Sequence, residues 1–425
     1  MSALRFWLVT VGEPLPIDPG DPRLLRSGML AEELASRGHD VTWWTSSFDH
    51  FNRIQRVPGS YSLHRSRGRI RLVVLPGPGY RRDVSVARFI DHAMIAARFR
   101  RLAGRAPAPS LILSSLPTLE LCEASRRLAT RFGAPYLVDV RDLWPDIFDR
   151  ALPRVLRPMS APFVWPYRKL ARLACQHASG IVAISKPFLN WALGYAGRPA
   201  GPSDLSVPYG YPAPDHAAAN LEADAFWAQH GVRPETPCVT FLGSFSDQFE
   251  FDHVLRAAAL LAPRHPTVRF VLCGKGALLD SLRRRASATP NVVVAGWIGR
   301  QQITAILSRS VLGLAPYRPN FDFLLSIPNK IPEYLSAGIP IAASLADSEV
   351  SRLLQRYGVG NAYQLDDGRA LAGIANATVD ATNAEAAERR RRCLELYEQC
   401  FRADIVYAHY ADHLERVATL SKSSS

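Results

Sequence analysis

Short apolar runs of strand length alternate with stretches of helical periodicity from one end of the chain to the other. This alternation predicts an α/β protein: doubly wound, Rossmann-like parallel sheets with helices on both faces. In the first half, the runs predict strands over 5–11, 41–45, 71–75, 111–114, 136–140, 180–184 and 205–208, with helices over 24–37, 85–102, 118–131 and 166–176. A segment rich in Pro, Gly and Ser follows. The pattern then resumes with strands over 238–242, 268–272, 291–294, 311–315 and 340–343, each followed by a helical stretch. A helical pattern over 385–420 has no strand after it, which predicts a tail that returns to the first domain.

Length fits this division, because 425 residues exceed one comfortable core and 48% hydrophobic residues suffice for two cores of about 200 residues each. The expected layout is a first domain over 1–200, a linker over 201–216, a second domain over 217–395, and a bracing helix with a frayed tail over 396–425. Charge is unevenly shared between the halves. Residues 1–200 carry 29 basic against 15 acidic residues, and the remainder 22 against 23. A basic first half predicts an anionic partner there: nucleic acid, acidic lipid headgroups or a lipid-linked pyrophosphate, among which charge alone does not choose. The arginines cluster at Arg65, Arg67, Arg69 and Arg71, at Arg81 and Arg82, at Arg98, Arg100, Arg101 and Arg105, and with Lys169 at Arg168 and Arg172. They are not interleaved with a nucleic-acid reading motif, which disfavours that partner.

No window approaches the ~20 apolar residues that span a bilayer, so membrane contact is expected to be peripheral. The first apolar run lacks a small-residue cleavage site and reads as a strand rather than a signal peptide, predicting a cytoplasmic chain whose peripheral membrane contact would be on the inner face. The six cysteines lack metal-type spacing and are expected to be reduced structural thiols. His39, His265, Trp43 and Trp44 are read as structural. No Asp-x-Asp pair occurs, so no metal is expected and the charge of a diphosphate must be met by the chain itself.

The stretch 326–344 carries the most chemistry. Ser326 is expected to cap a helix that tolerates Pro328 in its first turn and stops at Gly338 before Pro340. Lys330 and Glu333 then share a face, with Asn329 beside them. That sets an ammonium for a diphosphate next to a carboxylate for ribose hydroxyls. Gly243-Ser244 after one strand and Gly274-Lys275-Gly276 after the next let backbone approach the same anion, and Glu349 reaches toward the same edge; each alone reads equally as a turn or a first-turn carboxylate. In the first half, Arg141, Asp142 and Trp144 follow a strand, where they suit sugar hydroxyls and ring stacking; a buried Arg–Asp pair steadying the loop is the competing reading. The loop at Gly12-Glu13, running on to Arg26, is a candidate ligand cover, with a purely structural loop as the competing reading, and its spacing is wrong for a dinucleotide fingerprint.

These residues together resemble the bacterial family-4 glycosyltransferases, which have the GT-B fold. The likeness rests on the Gly12 loop, Arg37-Gly38-His39-Asp40-Val41, Arg141-Asp142-Leu143-Trp144-Pro145, Gly243, Gly274-Lys275-Gly276, Gly296-Trp297 and Pro328-Asn329-Lys330 through Glu333 to Gly338. It looks closest to enzymes that build O-antigen, capsule or exopolysaccharide repeat units. The resemblance implies metal-independent, retaining transfer of a sugar, in some relatives an N-acetylated amino sugar, from a UDP donor to a lipid-linked or glycan acceptor. It gives Glu333 the ribose, Lys330 the diphosphate, and Arg141-Asp142 the place of a His-Asp pair near the sugar. The chain departs from the family at Leu325, where many relatives carry a second glutamate, and near Glu250 and Asp252, where a basic residue is usual. A sugar-nucleotide 2-epimerase and a non-catalytic glycan-binding subunit are the alternatives.

Overall fold

The computed structural model describes residues 3–20, 22–57, 62–65, 68–82, 85–150, 157–214 and 221–423. It divides into two compact units, Met1–Pro208 with Asp404–Ser425, and Tyr209–Ala403. The first holds strands β1 (Arg5–Val9), β2 (Asp40–Ser46), β3 (Phe48–Asp49), β4 (Ile54–Gln55), β5 (Ser62–Arg65), β6 (Ile70–Leu75), β7 (Leu111–Ser115), β8 (Tyr136–Val140), β9 (Gly180–Ala183) and β10 (Leu205–Ser206). Eight of these form one sheet in the order β10-β9-β8-β7-β1-β2-β6-β5, with β3 and β4 as a separate hairpin. All pairings in that sheet are parallel except β5 with β6, an antiparallel edge that the apolar pattern does not predict. Its centre is apolar on both faces, as a helix-covered sheet requires: Phe6, Trp7, Leu8, Trp43, Leu113, Val138 and Ile181 are all buried.

The second unit holds β11 (Cys238–Leu242), β12 (Arg269–Cys273), β13 (Val292–Gly296), β14 (Ser310–Ala315), β15 (Ile341–Ala343) and β16 (Gly360–Ala362). Their order is β13-β12-β11-β14-β15-β16, and every pairing is parallel. The strand order reverses between β11 and β14, and ligands of open α/β sheets gather at such a switch point.

Three expectations are corrected. The helical tail is two helices, Asn383–Cys400 in the second unit and Ala403–Ser423, nearly all of it in the first. It breaks where Tyr211 pairs with the chain, its N–H donating to the Phe401 carbonyl at 2.8 Å and its carbonyl accepting from Ala403 at 3.0 Å. The segment returning to the first unit therefore begins at Asp404, not near 396. The division between units falls at Pro208–Tyr209, so the expected linker belongs partly to each. The arginines expected to alternate on one strand are divided between two: Arg65 ends β5 opposite Arg71 in β6, Arg69 precedes β6 and pairs with Asp40 at 2.9 Å, and Arg67 lies outside the described residues.

Candidate functional site

At the switch point of the second unit, β11 and β14 pair only as far as Thr240 and Gly313. Tyr334 fills the gap beyond them. Its hydroxyl lies 3.0 Å from the Thr240 carbonyl and 3.1 Å from the Leu314 carbonyl, and accepts from the Leu242 N–H at 3.2 Å. Only glycine fits at 313, because a Cβ there would stand 2.5 Å from the Tyr334 ring. This bridge fixes the helix Lys330–Ser336 against the carboxyl ends of the two strands. Gly338, with φ of 72°, ends it: Gly338 donates to the Leu335 carbonyl and Ile339 to the Tyr334 carbonyl, both at 2.9 Å.

Lys330 and Glu333 are thereby set at the switch point. The Lys330 ammonium bonds the Leu242 carbonyl and lies 4.4 Å from the centre of the Phe241 ring and 5.2 Å from that of Phe249. A cation over aromatic faces is stabilised with little water, and Lys330 is only 7% exposed. Glu333 is half-buried and accepts from the Tyr211 hydroxyl at 2.9 Å. The buried Tyr317 hydroxyl lies in the same field: burial and then the Glu333 carboxylate hold it far above the usual phenol range.

The glycine loops close around the ammonium. Gly243, with φ of 153°, lies against Lys330 Nζ; Gly274, with φ of 154°, against the Gly243 carbonyl; Gly276, with φ of 150°, against Phe245. A Cβ at any of the three would overlap its neighbour. Backbone bonds tie the loops into one ledge: Gly243 to the Cys273 carbonyl at 2.9 Å, Phe245 to the Lys275 carbonyl at 2.9 Å, and Gly274 to the Gly296 carbonyl at 2.7 Å. Ser244 and Lys275 are exposed beside it, and so is Trp297.

Other expected residues stand elsewhere. Ser326 does not cap the Lys330 helix: its hydroxyl donates to the Asp322 carbonyl at 2.7 Å and closes the preceding helix Phe321–Leu325. Asn329 holds the cap position without a side-chain cap bond, and the helix has seven residues, so its free N–H groups alone make no anion site. Glu349 is bonded to Arg352 at the start of the helix Glu349–Tyr357. Leu325, in place of the family glutamate, is half-buried in the short helix Phe321–Leu325.

In the first unit the candidates form a closed charge network. Arg26 bonds Asp139 through Nε and Nη2 at 3.1 Å, bonds the carbonyls of Val207 and Pro208, and lies 4.7 Å from the Tyr410 ring centre. Arg141 bonds Asp139, Glu13 and, at 2.9 Å, the Ser27 hydroxyl. Glu13 also accepts from the Ser27 N–H at 3.0 Å, at the start of the helix Arg26–Ser36, behind the bend that Gly12 makes with φ of 84°. Burial pushes the Asp139 carboxyl up, but Arg141 and Arg26 outweigh it and hold it below the usual carboxylate range. Arg26 and Glu13, expected to meet an acceptor, are thus buried structural charges. Trp144, expected to stack on a sugar, is 4% exposed and covered by Arg88 at 4.6 Å and Phe148 at 4.6 Å. Asp142 is half-buried in the same loop. Two residues escaped the sequence reading. Tyr211 is 122 positions from Glu333. Arg318 donates its N–H to the Gln248 carbonyl at 2.8 Å and its guanidinium to Glu250, beside the departure from the family noted above. The signal for Arg318 was that departure, an acid where a base is usual.

Two family models match the chain, one described as Glycosyl transferase 4-like domain over residues 25–204, the other as Glycosyl transferases group 1 over residues 236–380. No curated protein matches it in sequence. Among solved structures it resembles sucrose-phosphate synthase from Thermosynechococcus elongatus, at 14% identity and a TM-score of 0.73, covering 98% of this chain and 100% of that one. It also resembles α,α-trehalose 6-phosphate synthase from Burkholderia multivorans, at 13% identity and a TM-score of 0.68, covering 99% and 100%. The HepE protein of Anabaena, in complex with UDP-glucose, is similar at 14% identity and a TM-score of 0.62, covering 97% and 100%. At such identities the likeness is one of fold.

Proposed function

We propose, proceeding from a chain that is a glycosyltransferase of the GT-B type, that it is a family-4 enzyme moving a hexosyl or N-acetylated amino sugar from a UDP-sugar to a lipid-linked or glycan acceptor in surface polysaccharide synthesis. The observation that carries the donor half is the meeting of the Lys330 ammonium, the Gly243–Gly274 ledge and the Glu333 carboxylate at one switch point. Backbone without side chains lets a diphosphate come close, and the ammonium opposes the charge that grows on it as the bond to the sugar breaks. Arg318 stands where the family's basic residue is missing, but its guanidinium is taken up by Glu250. In this reading the Lys330 ammonium meets the diphosphate charge without a metal, and retention of configuration is what the family resemblance implies. Glu333, oriented by Tyr211, holds the ribose hydroxyls.

The first unit takes the acceptor. Asp142 is the carboxylate offered to sugar hydroxyls, and Arg141 positions its loop through Asp139 and Glu13. The basic character of that half suits a polyprenyl-pyrophosphate glycan at an anionic inner membrane face. Among the described residues no helix is long and apolar enough to cross a membrane.

The test is UDP release from a panel of UDP-sugars with and without glycan acceptors, in chelator. Acceptor-dependent release that persists in chelator and fails in Lys330→Met is expected. A donor altered without any acceptor would make the protein an isomerase, and no release from any donor would refute transfer.

A further inference from the structure

Three apolar outcrops stand exposed on the first unit. Phe51 and Ile54, 61% and 56% exposed, belong to the β3–β4 hairpin. Val86, Ile90 and Met94, at 74%, 51% and 39%, recur every fourth residue along the helix Val86–Ala103, so they share its outer face. Trp165, 63% exposed, stands on the helix Arg157–Gln176. Leaving such groups in water is unfavourable, and clustered exposure of this kind marks a contact surface.

A chain of contacts joins the three elements that carry these outcrops. Arg53, between Phe51 and Ile54, lies 5.4 Å from the Tyr80 ring centre, and Arg88, between Val86 and Ile90, lies 5.3 Å from it. Phe89 meets Tyr167 at 4.8 Å, which joins the helix of Ile90 to that of Trp165. Basic groups frame the outcrops. Arg81 and Arg82 precede the first helix and are exposed, Arg100 and Arg101 occupy its last turn, and Lys169 lies 5.9 Å from the Trp165 ring centre. Among the described residues the nearby acids do not cancel this field: Asp91 is buried and accepts from the Gly79 N–H, Glu120 is largely buried, and Asp146 is spanned by Arg168 at 3.6 Å. Apolar projections set among cations of one sign complement a surface that is anionic outside and hydrocarbon beneath. A protein partner would instead meet an apolar centre with a mixed polar rim.

We propose that this face seats the first unit on an anionic bilayer, with the hairpin tip, the outer face of the Val86–Ala103 helix and Trp165 entering the interface. The inference deepens the lipid-linked acceptor reading and rests on it, but is measured without turnover. Cosedimentation compares vesicles of phosphatidylcholine with vesicles of equal parts phosphatidylcholine and phosphatidylglycerol. Much stronger binding to the anionic vesicles is expected, with a weak part that survives high salt. Ile90→Glu and Met94→Glu should each lower partitioning ~10-fold or more, and Arg81→Gln about fivefold, the equivalent of about 1 kcal/mol near an anionic leaflet. Trp165→Phe should remove most of the fluorescence blue shift on binding. These side chains are exposed, so the melting temperature should not move. Equal binding to neutral vesicles, complete loss in salt with Ile90→Glu indistinguishable from wild type, or a changed oligomeric state of Ile90→Glu in gel filtration would each overturn the surface. A thermal shift with UDP-sugars on the same preparations separates the two readings: no vesicle binding with the shift intact sinks the membrane face and leaves the donor site standing.

Discussion

The two charge clusters of this chain use the same residue types to opposite ends. In the first unit, Arg26 and Arg141 are stitched to Asp139 and Glu13, and the Arg26 and Asp139 side chains are wholly inaccessible. Their work is to join the end of β8, the Gly12 loop, the chain at Val207–Pro208 and the returning helix that carries Tyr410. In the second unit, Lys330 is held by a carbonyl and two aromatic rings under a ledge of glycines with no side chains to block approach. Motif spacing cannot tell these cases apart. What distinguishes them is whether the backbone around the charge is bound up by carboxylates or left bare by glycine.

The contrast breaks most readily at Asp139. Asp139→Ala strands two buried guanidinium groups and should cost about 3–5 kcal/mol of stability, read as the denaturant midpoint, while the folded fraction keeps its UDP-sugar affinity. A loss of affinity at an unchanged midpoint would reverse the roles given to the two clusters. Lys330→Met, which keeps the apolar stem over Phe241, should do the opposite. It should lower turnover ~10²–10³-fold, or about 3–4 kcal/mol, with the midpoint nearly unmoved. Glu333→Ala should weaken nucleotide binding by about 1.5–3 kcal/mol in calorimetry, with Tyr211→Phe following it at about 1 kcal/mol, because the hydroxyl only orients the carboxylate.

A further effect is set by pH and again divides the units. Burial pushes His92 down to about 3 and His253 and His413 down to about 4. The unfolded chain therefore takes up these protons first. Stability is complete above the ordinary imidazole value near 6.5 and declines as pH falls from there toward 4. The first unit, with two of the three histidines, should lose protection earlier in hydrogen exchange; equal decline in both units would contradict the assignment.

Most of the fold was legible because buried parallel strands are unbroken apolar runs: β8 and β11 were bounded correctly to the residue, and the other runs to within two. The missed strands lack that signal. β16 is Gly-Asn-Ala, and β5 is an antiparallel edge. In the candidate site, spacing alone sets Lys330 and Glu333 on one short helix and the glycines after their strands, since helix and turn geometry is local. Burial is not local, so the enclosure of Trp144 and Arg26 could not be read from spacing. Nor did the sequence show that Ser326 closes one helix rather than opening the next, since Pro328 is compatible with either. Tyr211 and Arg318 reach their partners across 122 and 68 positions, distances over which no periodicity speaks.

The central claim is that Lys330 and Glu333 hold a nucleotide sugar at the β11–β14 switch point. Calorimetric titration of UDP-glucose into wild type, Glu333→Ala and Asp139→Asn tests it directly. The account predicts saturable binding to wild type, binding weakened at least ~10-fold in Glu333→Ala, and wild-type affinity in the folded fraction of Asp139→Asn. Undiminished binding by Glu333→Ala would contradict it.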